Sequence, residues 1–290
     1  MPDPTHSARP LELHIWRHIA VCLPADWEML QFSSEYERGR IAFADRYQFR
    51  AELSWRAVKG EPDYERMVSD YMLKLEQENK LGDAKPLRKA GWHGFVGMMQ
   101  KDYTSRFGRY LEEVGCLIEL VLLWPDQQRD AELETEILSS IEHSPPDEYG
   151  FRRWRAFGLD VKVPPTAVFE GCTAQPARAE FAFSDPKTGN QWQFMRLGMV
   201  NSWFDGNLEH WLKKSLGRNI IEPRFTHRTR GNHELITAEG RYKPQTIHLR
   251  NGTFQAAAWI DDKDGRLYCA KVWQRKKLPG AECRANEMIS

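Results

Sequence analysis

The chain repeats itself. At an offset of 140 residues, Val21-Cys22-Leu23-Pro24 matches Val161-Lys162-Val163-Pro164, and Ile41-Ala42-Phe43-Ala44-Asp45 matches Phe181-Ala182-Phe183-Ser184-Asp185. The proline-to-aspartate distance is 21 residues in both copies. The same offset pairs His93-Gly94-Phe95-Val96 with His233-Glu234-Leu235-Ile236, and Lys101 with Arg241. With small insertions, Trp16-Arg17 matches Trp154-Arg155, and Gly115-Cys116-Leu117 through Trp124 matches Gly265-Arg266-Leu267 through Trp273. Order kept over most of both halves is the mark of a duplicated folding unit. A length of 290 residues also exceeds the roughly 100–200 residues of one ordinary domain. The turn-rich Ser144-Pro145-Pro146-Asp147-Glu148-Tyr149-Gly150 separates the copies, because proline stops the preceding helix. The sequence therefore predicts one domain over 1–146 and a second over 147–290.

Within the first copy, a strand is expected from about Leu13 to Leu23, ended by Pro24. In Phe49–Arg56, Phe49, Ala51, Leu53 and Trp55 alternate with Arg50, Glu52, Ser54 and Arg56, the period of a half-buried strand. A helix follows Pro62-Asp63, with Tyr64, Met67, Val68, Tyr71 and Leu75 forming one apolar stripe. Leu208, Trp211, Leu212 and Leu216 repeat that stripe in the second copy, before Gly217. Strands near 91–99, 103–114 and 116–124 lead to a last helix carrying Leu133, Ile137, Leu138 and Ile141. The corresponding end of the second copy is interrupted by Leu278-Pro279-Gly280. The order predicts an α+β protein, each copy a mainly antiparallel sheet flanked by helices in an α-β-α sandwich.

Leu23-Pro24-Ala25-Asp26-Trp27, the Gly39–Asp45 strand, Cys116–Trp124 and Ile137–Ile141 together resemble the PsbP-like superfamily. The resemblance implies an α-β-α sandwich and non-catalytic partner binding, as in adaptors, chaperones and assembly subunits. The second copy departs from it where Pro165-Thr166-Ala167 replaces Ala25-Asp26-Trp27.

Composition narrows the chemistry. The N-terminal residues lack the basic and apolar regions of a signal peptide, and no apolar run reaches the ~20 residues that span a bilayer. The longest run, Cys116–Trp124, is broken by Glu119. Five separated cysteines without a CxxC pair argue against a disulfide framework or zinc cluster. These features predict a cytoplasmic protein with reduced thiols, no metal and no membrane insertion. No phosphate-binding loop, dinucleotide fingerprint or nucleophile elbow occurs, so no cofactor is expected. Net charge is zero, yet residues 1–150 carry 18 Lys+Arg against 27 Asp+Glu, and residues 151–290 carry 23 against 14. Opposite halves of this kind orient a partner.

The 11 tryptophans mostly suit a core, and those left at the surface suit an interface. The candidate binding residues are Trp27, Trp92, His93, Arg228, Arg230, His233 and Trp273. A histidine at two repeat-related places invites a small-molecule or enzymatic reading of His93 and His233, since imidazole titrates near neutrality. The run Arg224, His227, Arg228, Arg230, His233, with the second run Lys271–Lys277 around Trp273, invites a nucleic-acid reading. The leading expectation is a partner protein, bound without catalysis.

Overall fold

The computed structural model describes residues 9–78, 80, 82–99, 102–125, 128–230, 233–243, 252–275 and 285–289. The chain divides into two compact units, Met1–Pro145 and Pro146–Ser290. The first unit opens with a hairpin, β1 (Leu11–Trp16) and β2 (Ile19–Pro24). Then come β3 (Glu28–Phe32), β4 (Arg38–Ala44), β5 (Phe49–Ala57), helix α1 (Tyr64–Gln77), β6 (Gly82–Lys89), β7 (Trp92–Met99), β8 (Asp102–Leu111) and β9 (Cys116–Trp124). Helix α2 (Ala131–Ser140) and the short β10 (Glu142–His143), paired with β2, close the unit. The second unit has the hairpin β11 (Arg152–Ala156) and β12 (Leu159–Val163), then β13 (Val168–Gln175), β14 (Arg178–Ser184) and β15 (Gln191–Leu197). A single turn, α3 (Val200–Trp203), precedes α4 (Leu208–Leu216), β16 (Ile220–Arg230), β17 (His233–Tyr242), β18 (Gly252–Asp261) and β19 (Arg266–Gln274).

Each unit holds a seven-stranded antiparallel sheet, in the order β3-β4-β5-β9-β8-β7-β6 in the first and β13-β14-β15-β19-β18-β17-β16 in the second. The two orders are the same. In both, the strand ending at Ala44 or Ser184 is followed by an aspartate whose side chain accepts backbone N–H bonds two and three residues on. Asp45 takes them from Tyr47 and Gln48 at 2.8 Å each, Asp185 from Lys187 at 2.8 Å and Thr188 at 3.2 Å. These carboxylates close turns.

The α-β-α sandwich does not form, and with it the PsbP-like assignment falls. Strands dominate both units, and among the described residues the α-helices are few and short: 14 and 10 residues in the first unit, 4 and 9 in the second. Two kinds of strand account for the difference. The segment expected as one strand from Leu13 to Leu23 is a hairpin turning at Arg17 (φ 63°), as its counterpart turns at Phe157 and Gly158 (φ 53° and 67°). Such turns need left-handed backbone and usually announce themselves as Asn-Gly; these do not. The second kind is the outer strand: β6 contains Pro86 and β16 contains Pro223, each beside a register irregularity. Proline is tolerated at a sheet edge, where its missing donor faces no neighbour.

The first unit's main core lies on the sheet face opposite α1. Leu53, Leu120 and Phe107 sit side by side there, buried with Leu133, Ile137 and Leu138 of α2. Asp130 caps α2 by accepting from Leu133 N at 3.0 Å, the usual role of a short acid before a helix. The fully buried Glu134 of α2 reaches the same face, where Arg129, Lys89 and Ser105 all donate to it. Burial alone would raise its pKa; the Arg129 and Ser105 bonds overcome that and hold the carboxyl below its ordinary value.

Candidate functional site

The most distinctive surface of either unit is the face of the first sheet beneath α1. A helix normally covers a sheet by burying an apolar stripe. Here Leu75 is the only buried residue of α1, Tyr64, Met67 and Val68 are half-buried, and Tyr71 is exposed. The stripe expected to be packed instead borders a solvent-open groove of about 1150 Å³. Two aromatic contacts hold the helix over the sheet. Tyr64 stacks on His93 with centroids 4.2 Å apart and planes 5° apart, and its hydroxyl accepts from Tyr110 N at 2.8 Å. Tyr71 meets Phe95 at 5.9 Å and takes a hydrogen bond from Arg106. A second cleft of about 630 Å³ lies on the other side of α1, towards Pro86 and Leu87, and His93 lines both.

Sheet register explains why the helix does not settle. One row across the floor runs Ser54, Glu119, Gly108, His93; the next runs Glu52, Val121, Arg106, Phe95. Charges are set among them, with Arg40 paired to Glu52 at 3.4 Å and Arg56 to Glu119 at 3.8 Å. The corresponding rows of the second sheet read Met195, Cys269, Ala258, Ile236 and Gln193, Lys271, Ala256, Ala238. Apart from Gln193 and Lys271 that floor is apolar, and α4 packs on it with Leu208, Leu212 and Leu216 buried. Its one cation there, Lys271, is buried and donates to Ser215 O near the end of α4 at 2.8 Å. Burial lowers the Lys271 pKa.

The same register separates the two histidines singled out from the repeat. His93 stands opposite Gly108, and the residue opposite the corresponding Ala258 is Ile236, three positions beyond His233. His93 belongs to the groove. His233, at the start of β17, sits by the β18–β19 turn, where Asp262 N donates to its Nδ1 at 3.4 Å.

The remaining candidates are dispersed. Trp27 and Trp92 are core: Trp27 is 3% exposed beneath the Arg50 guanidinium, 5.7 Å away, and Trp92 is fully buried with its indole donating to Leu138 O at 2.9 Å. Trp273 packs half-buried against the second unit's core. Arg228 is exposed on β16; Arg230 ends that strand, and its side chain lies outside the described residues. Arg224 and Arg228 line one face, with Arg224 3.7 Å from Glu239, while His227 points to Glu209 and Glu234 at 2.8 and 3.0 Å. Strand alternation thus splits the basic run. Lys276, Lys277, Lys101, Cys283 and Leu278–Gly280 lie outside the described residues.

The groove was missed in the sequence although one signal was present: Glu119 in the middle of the longest apolar run. Among the described residues, no group of three or more His, Cys, Asp or Glu could hold a metal ion. Burial pushes the Cys172 thiol up to about 12 and the Cys269 thiol up to about 11, which disfavours the thiolate in both. Among the described residues, no helix is long and apolar enough to cross a membrane.

No protein-family model and no curated protein matches the chain. Among solved structures, the apo structure of immunity protein TplEi of T6SS from Pseudomonas aeruginosa is similar at 10% identity and a TM-score of 0.37, over 96% of each chain. Likeness at that level supports no statement about this chain's function.

Proposed function

We propose that the chain is a non-catalytic protein-binding module, an adaptor, chaperone or assembly subunit, and that it binds through the groove beneath α1. The observation that carries this reading is the open, charge-lined floor under α1, at the place where the second unit has a closed apolar one. A polar, aromatic-edged surface that the chain's own helix leaves uncovered is suited to another polypeptide. The groove, about 1150 Å³, is larger and more open than the ~300–1000 Å³ clefts that enclose small ligands. Its Tyr71 and Arg106 are of the residue types concentrated at binding hot spots.

The test uses three tagged full-length baits in nuclease-treated lysate at moderate salt: the unaltered chain, Ser54→Trp to fill the groove floor, and Thr253→Trp at an exposed position of the second unit. A stoichiometric protein held by the first and third baits and lost by the second supports the reading. The same protein held by all three places the interface elsewhere, and baits that come down alone argue against a stable protein partner.

A further inference from the structure

The groove's cations are not equally satisfied, and the imbalance identifies what should enter. Arg40 and Arg56 each face a carboxylate of the floor, Glu52 and Glu119. Arg106 does not. It sits near the middle of β8, in the row Glu52, Val121, Arg106, Phe95, and among the described residues no carboxylate pairs with it. Its Nη1 donates to the neutral Tyr71 hydroxyl, and its Cζ lies 5.3 Å from the centre of the Tyr71 ring. Its Nε is buried without a hydrogen-bond partner.

A half-buried guanidinium with an unmet donor is under-compensated, because burial removes water without supplying a counter-charge. A carboxylate satisfies it best. Two oxygens match the flat fork of the guanidinium, and the ionic bond is roughly twice as strong as one to a neutral hydroxyl. Tyr71 is the neutral group standing in that place, on an exposed side of α1, free to yield it. Lys74 and Arg38 add positive charge at the rim. Opposing them are Glu35 and Asp70, and Asp70 is offset by Arg66 at 3.6 Å.

Resting on the groove reading above, the geometry points to an acidic segment of the partner protein as the occupant, with one Asp or Glu carboxylate displacing the Tyr71 hydroxyl and closing on Arg106. The segment lies between α1 and the sheet, and Arg38 and Lys74 take its further negative charge.

A library of random ten-residue displayed peptides, panned on the full chain at moderate salt, tests this. Peptides dependent on the groove are those lost on Ser54→Trp. Among them, Asp or Glu should be enriched at one fixed position, and Arg106→Gln should weaken binding about tenfold or more. Arg106→Lys, which keeps the charge and loses the fork, should fall between; Arg178→Gln, removing a guanidinium of the second unit already paired with Glu180, should change affinity less than about threefold. A thermal melt of each variant separates lost binding from lost folding. Groove-dependent peptides without acidic enrichment, or equal binding by Arg106→Gln, overturn the acidic occupant and leave the groove reading standing. Recovery of no groove-dependent peptide counts against both.

Discussion

The two units lay a helix over the same face of the same strand order, and only one of those helices is packed down. Beneath α4 the floor is Met195, Cys269, Ala258 and Ile236; beneath α1 it is Ser54, Glu119, Gly108 and His93. In this row three of the first unit's four residues are polar or charged, where all four of the second unit's are apolar. Apolar burial is worth about 25 cal/mol per Å², so a helix gains by settling on the first floor. On the second, settling would strip water from Glu119 and its neighbours with incomplete compensation. The first unit's main core lies on its other face instead, and of the helix above the groove only Leu75 is buried.

That difference should be measurable in how each unit tolerates loss. The largest effect is expected at Glu134, the buried acid of the first unit's closed face. Glu134→Ala leaves Arg129 and Lys89 without their counter-charge, and removal of one partner from a buried pair costs about 3–5 kcal/mol. Denaturant unfolding followed by hydrogen exchange, resolved by unit, should show the loss in residues 9–145. A cost near zero would mean the network is surface-like.

Next, Leu212→Ala should destabilise the second unit by about 2–5 kcal/mol, as buried leucine truncations do. Val68→Ala, half-buried on α1, should cost the first unit less than about 1 kcal/mol. Similar costs for the two would erase the contrast. The contrast can also be reduced deliberately: Glu119→Leu should slow amide exchange across α1, with a gain of about 1 kcal/mol from the apolar area newly covered. Unchanged exchange would show that Glu119 is not what keeps the helix up.

Parts of this were legible in the residues. The α4 stripe ends at Gly217, as its spacing indicates, and Phe49–Arg56 alternates as a half-buried strand should. Hairpins turning at Arg17 and at Phe157 and Gly158 were not, because neither carries the Asn-Gly pair. Edge strands carrying Pro86 and Pro223 were lost for a similar reason: proline reads as a break until the strand is known to lie at an edge. Too few strands made the helices look like layers. Trp27 and Trp92 are buried, which the sequence does not show because a tryptophan's burial depends on contacts far away in sequence. The His93–His233 match failed by three positions because letters were aligned where pairing with Gly108 and Ala258 decides equivalence. Strand register is a tertiary property, and a shift of an odd number of residues turns a side chain to the opposite face.

The smallest expected effect concerns how each helix is tied at its first turn. By the same register, Arg88 opposite His93 corresponds to His227 opposite Ile236. Arg88 pairs with Glu65 in the first turn of α1, and His227 with Glu209 in the first turn of α4. Glu234 takes the other ring nitrogen of His227, so both nitrogens face carboxylates, an arrangement that favours the imidazolium. The bond to Glu209, then that to Glu234, raises the His227 pKa above its ordinary 6.5. A raised folded pKa gives a contribution that is full below about 6.5 and disappears as pH rises through the folded value. Arginine does not titrate in this range. After correction for base-catalysed exchange, the His210 and Trp211 amides should therefore lose protection as pH rises past about 6.5, while those of Arg66 and Met67 hold theirs. His227→Arg should abolish the difference, giving α4 the pH-insensitive tie that α1 already has; if the loss of protection persists in that variant, the clasp is not its cause.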